Sequence, residues 1–385
     1  MKIISKLFVL PACYFIFSWQ FLFGQYKVTF HIKQPSVFHK AHRLFIAGTF
    51  NDWNPRDAAF ETDTFKNEIT LLLPEGEYEY KFTQGDWQKV ESTSAGKEIP
   101  NRVLRVSADT TLNIEIMGWR NDFYQPLPGQ KVHTASFNVK VMDTAFFIPE
   151  LNRKRKIWIY LPPHYRKTKI SYPVLYMHDG QNLFDNATSY SGEWRVDEYL
   201  DSIFSLGKRE VIVVGIDNGL GKRMNEYNPY SFRQYGKGEG DEYVDFLVKN
   251  LKPFIDRHYR TLPDKKNTFI AGSSMGGLIS LYAVLMYPEV FGGAGIFSPA
   301  FWTAPGINRL VLSKAKNINA KLFFYAGGNE GSSTIKDMQK VEKEIRENST
   351  SSVHEIIDPA AKHNEDAWGK YFPVFYEWMV IGNGL

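Results

Sequence analysis

Thr268-Phe269-Ile270-Ala271-Gly272-Ser273-Ser274-Met275-Gly276 leads into an apolar helix-like stretch at residues 278–286. A short strand-like run, a Gly-x-Ser-x-Gly turn and a helix in that order form the setting of a nucleophile elbow. A serine hydroxyl becomes a useful nucleophile when a sharp turn exposes its oxygen, a histidine takes its proton and backbone N–H groups wait for the oxyanion. Gly272 and Gly276 let such a turn close without a Cβ clash. An ordinary glycine-rich turn with a capping serine has the same short pattern, but it would not predict an ordered acid and base further along the chain.

Outward from the elbow, unbroken apolar runs at 174–177, 211–214, 292–297 and 322–325 predict strands buried on both faces of a parallel sheet. Helical stretches at 195–204, 242–256, 337–347 and 366–379 fall between and after them, so the second part of the chain is expected to be a doubly wound α/β domain, 136–385. The first part alternates instead. Tyr26, Val28, Phe30 and Ile32 face one way and Lys27, Thr29, His31 and Lys33 the other, and the period returns at Tyr78, Tyr80 and Phe82. Further strands are expected at 43–47, 69–73, 102–106 and 111–116. With no long helical period before residue 118, an immunoglobulin-like antiparallel β-sandwich over 25–118 follows. Pro126, Pro128 and Gly129 mark a linker at 119–135.

At 385 residues the chain has room for these two domains. A formal net charge of +4, with Lys and Arg spread among Asp and Glu, implies no nucleic-acid partner. Lys2 and Lys6 followed by apolar residues 7–23 read as a secretory signal over 1–24, against the alternative of a single membrane anchor. Export to the periplasm or the medium is the expectation, with no stable membrane span after cleavage. The one cysteine, Cys13, lies inside this segment, so the exported chain would hold no disulfide, thiol nucleophile or thiolate metal site.

Elbow hydrolases carry serine, acid and histidine in that chain order, each on a loop at the carboxyl end of a strand. Only His354 and His363 follow Ser274. His354 falls in an apparent strand at 353–357, whereas His363 lies in the loop beyond it and is the preferred base. Glu330, just past the run 322–325 and Ala326-Gly327-Gly328-Asn329, is the candidate acid that orients the imidazole, with Asp358 as competitor. The oxyanion hole needs the N–H of Met275 and a second donor from an earlier strand end. Residues 174–177 run into His178-Asp179-Gly180-Gln181-Asn182, which offers Gly180 and Gln181. His178 and Asp179 as a metal pair lack a third ligand at suitable spacing, so neither metal nor cofactor is expected. Asp179, Trp194 and Arg223 are candidates for substrate binding.

From Ser136 onward the chain resembles the esterase family of α/β-hydrolases that includes esterase D, feruloyl esterases, enterochelin esterases and mycolyltransferases. The resemblance is carried by residues 155–163 (RKIWIYLPP), His178 to Asn182 with Leu183-Phe184-Asp185, Trp194-Arg195-Val196-Asp197-Glu198, and Gly215-Ile216-Asp217-Asn218. Arg223 with Glu226-Tyr227, the run from Gly272 to Gly277, and His363-Asn364-Glu365 with Trp368 continue it. It implies an α/β-hydrolase fold and ester hydrolysis through an acyl-serine, with Ser274, Glu330 and His363 on the triad positions. Ala360-Ala361 stands where related sequences often carry glycines. The first domain resembles the starch-binding modules of carbohydrate-binding families 20 and 48 through residues 45–53 (FIAGTFNDW), Glu79-Tyr80-Lys81-Phe82, Trp87 with Glu91, and Asn101-Arg102. That resemblance implies sugar contacts at Trp53, Lys81, Trp87 and Asn101. Trp53 as a core tryptophan stays open beside it. The expected function is that of an exported serine esterase acting on acetyl or feruloyl esters of carbohydrate, the alternatives being a siderophore lactone esterase and a non-catalytic α-glucan-binding protein.

Overall fold

The computed structural model describes residues 24–34, 43–62, 67–120, 131–204, 207–232 and 234–382. The expected signal segment and Cys13 lie outside the described residues, apart from Gly24. No described helix is long and apolar enough to cross a membrane. The chain divides into two compact units, 1–124 and 125–385.

In the first unit β1 (Gln25–Lys33) pairs with β3 (Glu68–Pro74) and β7 (Thr110–Glu115), while β2 (Phe45–Gly48), β4 (Gly76–Thr83) and β6 (Arg102–Val106) make a second sheet. The alternation read in β1 is what buries Val28, Phe30 and Ile32 against Ile46, Phe82 and Leu104 of the other sheet. Two details differ from expectation. The β1–β7 pairing is parallel, not antiparallel. Trp119 sits in a short pair of strands, β5 (Glu91–Ser92) with β8 (Gly118–Trp119), and is fully buried in this core, so the first unit extends beyond residue 118.

The second unit is built on one sheet in the order β16-β15-β14-β13-β11-β12-β10-β9. These strands are β9 (Val139–Ile148), β10 (Arg153–Tyr160), β11 (Val174–His178), β12 (Ile212–Ile216), β13 (Thr268–Ser273), β14 (Gly293–Phe297), β15 (Lys321–Gly327) and β16 (Ser352–Asp358). From β11 to β16 every pairing is parallel, and β10 runs antiparallel to both of its neighbours. Successive residues of the central strands enter opposite cores: Tyr176, Ile270 and Ile296 on one face, Met177, Ala271 and Phe297 on the other. That two-sided burial is why these strands read as continuous apolar runs.

Helices Val196–Phe204, Gly240–Phe246, Lys252–His258, Met275–Met286, Ser332–Asn348 and Glu365–Tyr376 occupy the expected places. Ile307–Lys314 is a further helix that the sequence pattern did not announce. Residues 131–135, expected as linker, are fastened to the second unit together with Ser136, the first residue of the expected α/β domain: His133 Nδ1 lies 2.7 Å from Asp185, the Thr134 hydroxyl donates to Glu193 at 2.8 Å, and the Ser136 N–H donates to Asp197 at 2.5 Å.

Candidate active site

Ser274 joins β13 to the helix Met275–Met286 at φ 57° and ψ −117°, a conformation that non-glycine residues adopt only when their surroundings enforce it. The enforcement is visible. The Ser274 N–H donates to Phe297 O at 2.8 Å, and its carbonyl accepts from Leu278 N at 3.1 Å and Ala300 N at 3.0 Å. A Cβ on Gly272 would stand 2.9 Å from the Gly276 carbonyl carbon and 2.9 Å from His178 Cδ2. Glycine is therefore required there by close approach rather than by dihedral freedom. Met275 opens the helix, so its N–H is among those with no acceptor in a preceding turn.

Glu330 ends a single turn, Gly328–Glu330, immediately after β15. Its carboxylate is buried. Oε1 accepts from Gly327 N at 2.8 Å and from the Ser298 hydroxyl at 2.6 Å, and Oε2 lies 2.9 Å from His363 Nδ1. His363 stands in the loop between β16 and the last helix with its side chain 41% exposed, and the Trp368 indole meets it edge to face at 5.0 Å. Asp358 is engaged elsewhere, by Lys370 at 2.9 Å and the Tyr371 hydroxyl at 3.0 Å; the Lys370 bond holds its carboxyl below the usual range. His354 lies on β16 with its ring stacked on Phe323 at 5.4 Å. Among the described residues no hydrogen bond joins the Ser274 hydroxyl to His363. Both follow the carboxyl ends of parallel strands in one sheet, across β14 and β15.

The loop after β11 begins with Asp179 at φ 56° and makes one turn, Gly180–Asn182. A Cβ on Gly180 would lie 2.8 Å from the Gly215 carbonyl carbon, so this loop is pressed on β12. Gln181 is held at both ends: its side-chain oxygen accepts from Asn218 N at 3.2 Å, and its carbonyl accepts from the Thr188 hydroxyl at 3.0 Å. Asp179 and Arg223 form a bidentate pair at 2.7 and 2.8 Å, and Asn218 donates to Asp179 at 2.7 Å. Burial alone would raise the Asp179 carboxyl, but the Arg223 charge and these hydrogen bonds outweigh it and hold it below its ordinary value. Trp194 packs inside, 3% exposed, with its ring edge-on to Phe297 at 4.9 Å, which makes it a core residue rather than a pocket wall.

Two residues to which the sequence assigned no role bear on this geometry. Glu365 is buried and accepts from Asn182 at 3.0 Å and from the Ser191 hydroxyl at 2.8 Å, tying the loop after β11 to the histidine loop. Ser298, the residue after β14, contacts both Glu330 and Trp368. Glu365 belongs to the run His363-Asn364-Glu365 and Ser298 directly follows the run 292–297, yet nothing in the sequence tells a buried tether from a surface polar residue.

His178 is fully buried beneath the elbow, with Nδ1 3.0 Å from the Tyr243 hydroxyl; burial pushes it down to about 3, so it is neutral. Elsewhere, ligand atoms of Glu193, Asp197 and Glu198 lie within 4.8 Å of one another. Burial first, then the neighbouring Glu198, raises the Asp197 carboxyl well above its usual value. In the first unit Trp53 and Trp87 stand side by side at 6.1 Å, Trp87 being 39% exposed. Lys81 is buried and donates to Ile99 O at 2.7 Å, and Asn101 donates to Glu79 at 2.9 Å.

The family model described as "Putative esterase" matches residues 148–373, more than half of the chain. The chain belongs to this esterase family. It is similar to the uncharacterized protein YbbA of Bacillus subtilis, 26% identical over 251 residues that make up 60% of this chain and 94% of that protein. It is also similar to an endo-1,4-beta-xylanase/feruloyl esterase of Xylanibacter ruminicola, 30% identical over 162 residues, 41% of this chain and 21% of that protein. The siderophore hydrolase EstB from Aspergillus nidulans shares the fold, with a TM-score of 0.50, 14% identity, and 65% of this chain against 97% of that one. This esterase is thus a hydrolase with an α/β-hydrolase core and a β-rich N-terminal unit.

The close approach at Gly272 generates a prediction. Gly272→Ala in the esterase should cost about 1–3 kcal/mol of stability, the usual cost of overpacking, seen as a lower urea midpoint, and should reduce ester turnover. An unchanged midpoint in equilibrium unfolding would contradict the packing argument.

Proposed function

We propose that this esterase is an exported serine hydrolase in which Ser274, Glu330 and His363 form the catalytic triad. The observation that carries this reading is the Glu330–His363 pair at 2.9 Å, built at the same end of the sheet as the strained turn of Ser274. Ser274 Oγ attacks the ester carbonyl while His363 Nε2 takes its proton. The tetrahedral oxyanion is received by the N–H of Met275 with Gln181 or Gly180, and collapse expels the alcohol, which leaves with the proton held by His363. Water then adds to the acyl-serine with His363 as base, releasing the acid and restoring the serine. Glu330 keeps the imidazole in the tautomer that places its lone pair on Nε2.

The substrate class in this reading is an acyl ester of carbohydrate with an aromatic acyl group of the feruloyl type. The support is a set of neighbouring rings, Trp302 and Tyr235 exposed and Phe232 half-buried, of which Trp302 lies on a turn bonded to the elbow. Trp302 is 54% exposed and lies in the turn Phe301–Thr303; Ala300, just before that turn, bonds the Ser274 carbonyl, and Thr303 contacts the Met275 sulfur at 3.4 Å. Phe232 meets Trp302 edge-on at 5.8 Å and stacks on Tyr235 at 5.9 Å. Such rings favour a flat partner. Ser274→Ala should cut turnover at least about a thousandfold. Trp302→Ala should raise KM severalfold for a feruloyl ester while leaving an acetyl ester nearly unaffected. Parallel assays on those two esters and on a cyclic catecholate lactone check this; faster turnover of the lactone, or a Ser274→Ala enzyme as active as the parent, would refute the reading.

In the same reading the N-terminal unit is a carbohydrate-binding module whose paired rings, Trp53 and Trp87, stack on sugar. Indole faces suit the apolar faces of pyranose rings, and here the two ring centroids lie 6.1 Å apart with the planes tilted at 47°, Trp87 exposed and Trp53 half-buried. The buried Lys81 holds the module together in place of contacting sugar. Retention on insoluble starch, lost in a Trp53→Ala/Trp87→Ala variant, is expected in a pull-down. Equal recovery of parent and variant would rule out the platform.

A further inference from the structure

We propose that Ser298 is a positioning residue for the catalytic pair, its one hydroxyl holding the Glu330 carboxylate and the Trp368 ring that backs His363. This rests on the reading of Ser274, Glu330 and His363 as the triad. Ser298 is fully buried at φ 45°, and its N–H donates to Tyr325 O at 2.6 Å, which pins the backbone between β14 and β15.

The direction of its bonds follows from donor chemistry. An indole N–H can only donate. The Trp368 N–H at 2.9 Å therefore occupies a lone pair of the serine oxygen, and the hydroxyl proton must go to Glu330 Oε1, 2.6 Å away. Oε1 then holds two donors, Ser298 O–H and Gly327 N–H, and Oε2 is left facing His363 Nδ1. The carboxylate is thereby prevented from turning, and the proton of His363 is kept on Nδ1. Trp368 adds the second restraint, since its ring stands at 86° to the imidazole. Glu330 and Trp368, which both touch His363, are thus anchored on one oxygen. Without it, the carboxylate keeps a single fixed donor and the indole N–H is buried with no acceptor.

The test uses the full chain with Ser298→Ala and Trp368→Phe, the second keeping a ring beside His363 while removing the donor. Steady-state kinetics on an aryl ester should show kcat falling about tenfold for Ser298→Ala and severalfold for Trp368→Phe, with KM little changed, because neither hydrogen-bonding atom reaches substrate. In enzyme labelled with ¹⁵N-histidine, the downfield proton resonance of His363 Nδ1 should move or broaden in both variants. If both variants fold by circular dichroism yet keep kcat and that resonance, the positioning role is wrong. If Ser298→Ala does not fold, Trp368→Phe decides on the same two readouts. An active Ser274→Ala enzyme would instead overturn the triad reading, and the resonance would still report on Ser298.

Discussion

The backbone of Ser274 is the constraint on which the site depends. A residue at φ 57° with ψ −117° does not hold that shape by its own preference. It is wedged by Phe297, Ala300 and Leu278 and by the contact of Gly272 with Gly276 and His178. The strain is met by a sheet whose central strands are buried on both faces and by a helix packed almost wholly in the interior. Loosening that support would let the turn relax, and the oxygen would lose its aim.

Charge is distributed to the same end. The buried Asp179 and the partly buried Arg223 neutralise each other, which fixes the loop carrying Gly180 and Gln181 without leaving a net charge beside it. Glu330 is buried but met by fixed donors, so its charge is directed at one imidazole nitrogen. His178 is kept neutral beneath the turn. In the proposed mechanism, polar groups fixed in this way would need little rearrangement when charge develops on the carbonyl oxygen.

Much of this was legible in the residues. The strands β11 to β15 were readable because two-sided burial leaves unbroken apolar runs, and the pairing of Glu330 with His363 because such partners follow the ends of parallel strands in a fixed chain order. The pair β9 and β10 was not readable as strands, since β9 is largely exposed and β10 opens with Arg153-Lys154-Arg155-Lys156. Helix Ile307–Lys314 is short and carries Asn308, Arg309, Ser313 and Lys314 among its apolar residues, so its period is weak. Trp194 was misplaced for a different reason: an indole next to charged residues looks the same in sequence whether it lines a pocket or, as here, packs against Phe297 and Trp368. Likewise Lys81, expected to meet sugar, is turned into the backbone of its own unit. Ser298 and Glu365 bond partners far away along the chain, and such pairings appear only in three dimensions.

The most direct test of the account is covalent labelling of the purified chain with a fluorophosphonate, followed by peptide mass spectrometry. The account predicts a single phosphonylated peptide containing Ser274, with labelling strongly slowed when His363 is replaced by alanine. Ester hydrolysis that survives full exposure to the reagent, or an adduct on any other residue, would contradict it.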